Sequence, residues 1–230
     1  MTDTLTDDAT DDATAVRDQA LATLGLPQAW AEPGGYPHSL ALSAIDAVYS
    51  LRARQAAVAT VLDTYRSLRR SQGADPYRDS GSDLLAAVAS AGGPAAAAVA
   101  LFNNAKAPGV RPPLLRSVAL ADAVAALGRV GVDTATDLRD ASPSTLAAAR
   151  TTWVSVRGNG PLSWEYLQMN VGAQGAGDAT VLRWVTRAVG ASRPVSTRRA
   201  EAAVQGAADL LEVPRRALHH RIWWVESGRD

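Results

Sequence analysis

The residues best placed to do chemistry lie between Trp153 and Gly190 of the 230-residue chain, in the stretch WVSVRGNGPLSWEYLQMNVGAQGAGDATVLRWVTRAVG. Gly158, Asn159 and Gly160 reverse the chain between two helical patterns. Glycine tolerates positive φ and leaves the backbone amides uncovered. The helix that follows at once begins with N–H groups lacking intrahelical acceptors, at the positive end of its dipole. Such a turn can hold an anion, and a DNA phosphate fits it without sequence preference. Asp178, a carboxylate opening the next helical pattern, is the second feature. Taken singly, each has a plainer reading: a glycine C-cap between helices, and an aspartate N-cap.

Other chemistries are excluded by composition. Cysteine is absent, which removes disulfides, thiolate metal sites, cysteine nucleophiles and cysteine-ligated clusters. Lys106 is the one lysine, so it and the N-terminus are the only primary amines. His219 and His220 are neighbours on a helical pattern and point apart, with no further ligands nearby; a structural role is expected and no metal. No cofactor is implied.

The elements that must position these groups read as helices throughout. Alanine is abundant, phenylalanine occurs once, and β-branched runs are short. Helices are expected at 15–24, 39–50 and 54–70, then from a cap at Ser82, and again after the Gly92-Gly93-Pro94 break to about Asn103. KAPGVRPP reads as a linker. Further helices follow at about 114–128, after Thr134, from Ser142-Pro143 to Val156, and at 161–171, 178–189, 196–212 and 214–226.

The repeat TDDATDDAT makes 1–14 an acidic tail expected to be disordered, ahead of one domain over 15–230. Of 23 acids, five lie in the first twelve residues, which leaves 18 against 23 basic residues. That modest excess is compatible with nucleic acid. No apolar run reaches membrane-spanning length and the N-terminus is acidic, so a cytoplasmic, nucleoid-associated protein with no membrane partner is expected.

The combination of hairpin and aspartate resembles the helix-hairpin-helix DNA glycosylase superfamily, the endonuclease III-like proteins. There a Gly-hydrophobic-Gly hairpin precedes a catalytic aspartate by about twenty residues. Gly158-Asn159-Gly160 and Asp178 follow that order, and Arg183 and Arg187 match arginines common on the helix after the aspartate. LLEVPRRALHHRIWWVESGR is similar to the family's penultimate segment, after which the cluster-bearing branch places its cysteines. LALSAIDAVYSLRARQAAVATVLDTY is similar to its early helix pair. Two positions depart from the pattern: Asn159 replaces an apolar residue, and Leu162 stands about where bifunctional members carry their lysine.

The resemblance implies an all-α, two-lobed helical bundle with a helix-hairpin-helix motif and a central cleft. It implies a monomer acting on double-stranded DNA, cleaving the N-glycosidic bond of a damaged or modified base flipped from the stack. Asp178 would stabilise the oxocarbenium-like sugar and activate water. Arg157, Gly158, Asn159, Gly160, Ser163, Arg183 and Arg187 would contact DNA. Asp46, Tyr49 and Trp164 would line the base pocket, although Trp164, Tyr166 and Trp184 have the composition of core residues, and Asp46 could instead pair with an arginine. Without a lysine by the hairpin the enzyme would lack lyase activity. The competing expectations are a non-catalytic binder of DNA structure or modified bases on the same scaffold, and a helical regulatory protein whose glycine turns are only turns.

Overall fold

The protein is all-α. A computed structural model describes residues 3–30, 34–173 and 178–226, excluding the side chains of 3–9 and of 178. Twelve α-helices occur among the described residues and no strand. No single helix among them is long and apolar enough to cross a membrane. The chain divides into two compact units, one of Met1–Gly34 with Gly177–Asp230 and one of Gly35–Ala176.

The second unit is built around α2, Leu40–Tyr49, in which every residue except Asp46 is buried. A helix buried all round reads apolar all round, and LALSAIDAVY does so apart from that one acid. Ser39 caps it, accepting from the Leu42 amide. At its other end the buried Arg116 guanidinium donates to the carbonyls of Val48, Tyr49 and Leu51, placing a cation at the negative end of the dipole. Burial lowers the Arg116 pKa from its ordinary value. Helices α3 (Gln55–Ser71), α4 (Gly81–Ser90), α6 (Arg116–Arg129) and α9 (Pro161–Val171) pack on α2. Helices α5 (Pro94–Ala100), α7 (Ala135–Arg139) and α8 (Pro143–Ser155) complete the unit. Asp79, in the loop before α4, ties α3 to the start of α2. Its carboxylate takes the Tyr65 hydroxyl at 2.8 Å and two donors of Arg69 at 2.7 and 3.1 Å, and its carbonyl takes the Ser39 hydroxyl.

Two expected boundaries move. Helix α4 is capped by Ser80, not Ser82, because Ser80 and Asp83 form a reciprocal capping box. The Ser82 hydroxyl goes to Asp133 instead. Helix α5 stops at Ala100, short of Asn103, with Asn104 at φ 52°.

The first unit holds α1 (Asp3–Thr23), α10 (Asp178–Ala188), α11 (Thr197–Leu210) and α12 (Arg215–Glu226). Here the acidic segment departs from expectation: it is helical from Asp3 as part of α1. Further along, Asp12 is buried and accepts two bonds from Arg199 at 2.6 and 2.9 Å. A Cβ on Gly206 would stand 2.7 Å from Ala13, so α1 and α11 meet almost backbone to backbone. A repeat of small and acidic residues is helical once a complementary groove exists, which composition alone does not reveal.

Candidate functional site

The turn between α8 and α9 comprises Val156 to Gly160. Gly158 has φ +99°, and a Cβ there would lie 2.9 Å from that of Ala107 and 3.3 Å from that of Ala119. Glycine is therefore required twice over, for its dihedral and for its contact. The Arg157 guanidinium donates to the Pro112 carbonyl at 3.0 Å. The turn is thus braced on the segment 105–115, whose Ala107 amide and carbonyl-bearing partner Leu114 close a short ladder beside the Lys106–Leu115 bridge.

Its own donors are largely spent. The Asn159 amide bonds the Val156 carbonyl at 3.0 Å, and the Gly160 amide bonds Ser163 Oγ at 3.0 Å. Ser163 is fully buried. Its hydroxyl accepts from Trp153 Nε1 at 3.0 Å and donates to the Gly160 carbonyl at 2.8 Å. The expectation that Ser163 contacts DNA is corrected: the side chain is a saturated internal cap. The expected grip through the Asn159 and Gly160 amides is corrected for the same reason. The amides of Leu162 and Ser163, in the first turn of α9, keep no intrahelical acceptor, and Leu162 is 40% exposed. Both polar atoms of the Asn159 carboxamide are buried with no hydrogen-bond partner.

Asp178 begins α10 in the other unit, and its side chain lies outside the described residues, as does the glycine-rich segment 174–177 before it. On α10, Arg183 is exposed and donates to Thr180 Oγ1 at 3.0 Å, while Arg187 pairs with Glu226 at 2.7 Å. Arg187 is therefore a neutralised cation as it stands. Trp184 is 3% exposed and core, beside the same ion pair.

The expected base-pocket residues separate. Tyr49 is 1% exposed, its ring tilted against that of Phe102 with centroids 5.2 Å apart, with a buried hydroxyl lacking a partner; burial pushes its pKa far up. Trp164 and Tyr166 are each 3% exposed. Tyr49 and Trp164 are corrected to core residues. Asp46 alone stays half-buried, and its carboxylate takes the Ser50 hydroxyl at 2.5 Å. Tyr36 is near enough to feel it: burial first, and then the Asp46 charge, push the phenol up to about 12. Arg66 donates to the Tyr36 hydroxyl at 3.2 Å and lies over the Tyr36 and Tyr77 rings. Tyr36 and Arg66 were not legible in the sequence, since a loop tyrosine and one arginine among many carry no spacing signal.

The glycine turn and helices α2 to α12 all fall within residues 14–227, which match the family described as a domain of unknown function, DUF8548. The chain belongs to that family. No curated protein and no solved structure matches it. The DUF8548 domain so defined takes in α1 from its middle onward, consistent with the burial of Val16 and Ala20. Among its described residues no group of three or more His, Cys, Asp or Glu is placed to hold a metal.

Proposed function

We propose that this protein is a monofunctional DNA glycosylase of helix-hairpin-helix type, acting on double-stranded DNA, with Asp178 as its catalytic carboxylate. The reading is supported by the order α8, glycine turn, α9, α10, with α10 opening at Asp178, 18 residues beyond Gly160. A flipped nucleotide presents its C1′–N bond, and departure of the base leaves positive charge on the sugar. The carboxylate stabilises that charge and takes a proton from the attacking water as its oxygen bonds C1′ and the C1′–N bond breaks, and the departing base takes a proton from solvent. Phosphate contact falls to the exposed Arg157 and the open amides at the start of α9, since the turn's own amides are committed.

Hydrolysis without a Schiff base is the expected course because Leu162, not a lysine, stands just after the turn, and covalent catalysis at the sugar needs an amine. Asp178→Asn should cut base release by at least about 100-fold and leave duplex binding in place. Unchanged release from a damaged-duplex panel by that variant overturns the assignment. A second reading, a non-catalytic DNA binder on the same helices, is favoured by Asn159 and by the two spent amides. Wild-type binding with no release from any duplex of the panel selects it.

A further inference from the structure

The segment that braces the glycine turn carries charge of one sign only. No acid occurs from Leu84 to Ala121, nor from Ala141 to Trp164. These two stretches meet where Gly158 packs against Ala107 and Ala119, and where Arg157 reaches the Pro112 carbonyl. They contribute Lys106 and Arg111 from the segment, and Arg150 and Arg157 from α8 and its end. All four are exposed, and none has an ion pair among the described residues. That sets them apart from the arginines of α3, where Arg66 and Arg69 pair with Asp63, Asp79 and Asp83.

Backbone geometry explains how cations reach this surface. Lys106 and Leu115 form an antiparallel bridge, so alternate residues of the segment face opposite ways. Ala107 turns inward to Gly158 and is 6% exposed, and Lys106, one residue earlier, turns outward. The buried Arg116 fixes the segment from behind by donating to the Lys106 carbonyl at 3.1 Å. Unpaired cations on a braced backbone, with no nearby acid to neutralise them, suit a polyanion: each phosphate neutralised releases a counterion, and little conformational entropy is left to lose.

We infer that residues 103–115 form a second backbone grip for duplex DNA, with Lys106 and Arg111 contacting phosphates beside the one met by Arg157. The inference deepens the DNA-binding part of the proposed function and rests on it. The chain's lone lysine then serves as a phosphate contact, with its amine on the surface as a cation.

Fluorescence anisotropy with an undamaged 20-base-pair duplex, repeated over a salt series, tests it. The double variant Lys106→Gln/Arg111→Gln should lower the slope of log K against log salt by about two, and by the same amount on unrelated sequences. Lys106→Arg should retain the wild-type slope. Arg78→Gln, which removes an exposed cation beside Asp75, should leave the slope unchanged, and circular dichroism should show all variants folded. If the wild type binds and the double variant has the same slope, the second grip is overturned and the glycosylase reading stands. If the double and Arg78 variants lose equally, the effect is net charge, and the inference also falls. If the wild type binds no duplex, both readings fall together.

Discussion

Two turns in the same unit share a sequence signature and differ in what they do. Gly92-Gly93-Pro94 links α4 to α5, and Gly158-Asn159-Gly160-Pro161 links α8 to α9; in both a proline fills the first helical position after a glycine. At the first turn Gly92 and Gly93 have φ of 93° and 92°, and a Cβ on Gly93 would meet nothing within 4 Å. At the second, Gly158 is pressed onto two alanines, Ser163 closes the cap, and an arginine reaches another segment. One turn is local punctuation. The other is a docking point that fixes where a cationic segment lies.

Substituting the matched glycines breaks that comparison most sharply. Gly158→Ala meets both an unfavourable φ, at roughly 1–2 kcal/mol, and a contact too close by several tenths of an ångström. The combined loss should reach about 2–4 kcal/mol, read by chemical denaturation. Gly93→Ala meets the backbone term alone and should lose roughly 1–2 kcal/mol. Gly158→Ala should also weaken duplex binding, since Ala107 and its neighbours must shift. Equal losses at the two positions would show that the tertiary brace contributes nothing.

Asn159 offers an effect of opposite sign. Its carboxamide is buried without partners, an arrangement costing about 1–3 kcal/mol. Asn159→Leu restores the apolar residue that the resembled hairpin carries, and should stabilise the protein by up to about 1–3 kcal/mol. If the carboxamide serves binding, the same variant binds duplex more weakly while melting higher. A variant both less stable and unaltered in binding would mean that the side chain is satisfied by water.

Much of the architecture was legible in the sequence because its signals are local. Proline at N1, serine caps and glycine stops placed α2, α3 and α6 to α12 within a few residues of where they lie. What was not legible depends on partners distant in sequence. The helical state of the acidic segment needs Arg199 and Gly206, nearly 190 residues away. The loss of Ser163 as a DNA contact needs Trp153, and Tyr49 and Trp164 as pocket residues gave way to burial, which adjacency on a helix cannot specify. Lys106 looked remote from the hairpin in sequence and is joined to it through Ala107. Asp46, expected in a base pocket or paired with an arginine, is the one half-buried residue of an otherwise buried helix.

The smallest expected effect separates the two capped helices of that comparison by pH. The cap of α9 is neutral, Ser163 against the Gly160 amide and carbonyl, and no proton is exchanged there between pH 2 and 8. The cap of α4 is titratable: the Ser80 amide and hydroxyl donate to Asp83 at 2.9 and 2.8 Å. The Ser80 amide bond is the largest cause holding the Asp83 carboxyl below its ordinary value. A carboxyl with a depressed folded pKa contributes stability that is present above its unfolded pKa, near 3.9, and is lost as pH falls through the lower folded value. Because the Asp83 side chain is 45% exposed, solvent screens much of this, and below about 1 kcal/mol is expected. Asp83→Asn should therefore lower stability at neutral pH by that small amount and flatten the acid limb below about pH 4, while Ser163→Ala lowers stability by the same amount at every pH. An acid limb unaltered in Asp83→Asn would place the protons elsewhere, with Asp137 of the α7 cap, whose pKa is likewise lowered, the next carboxyl to replace.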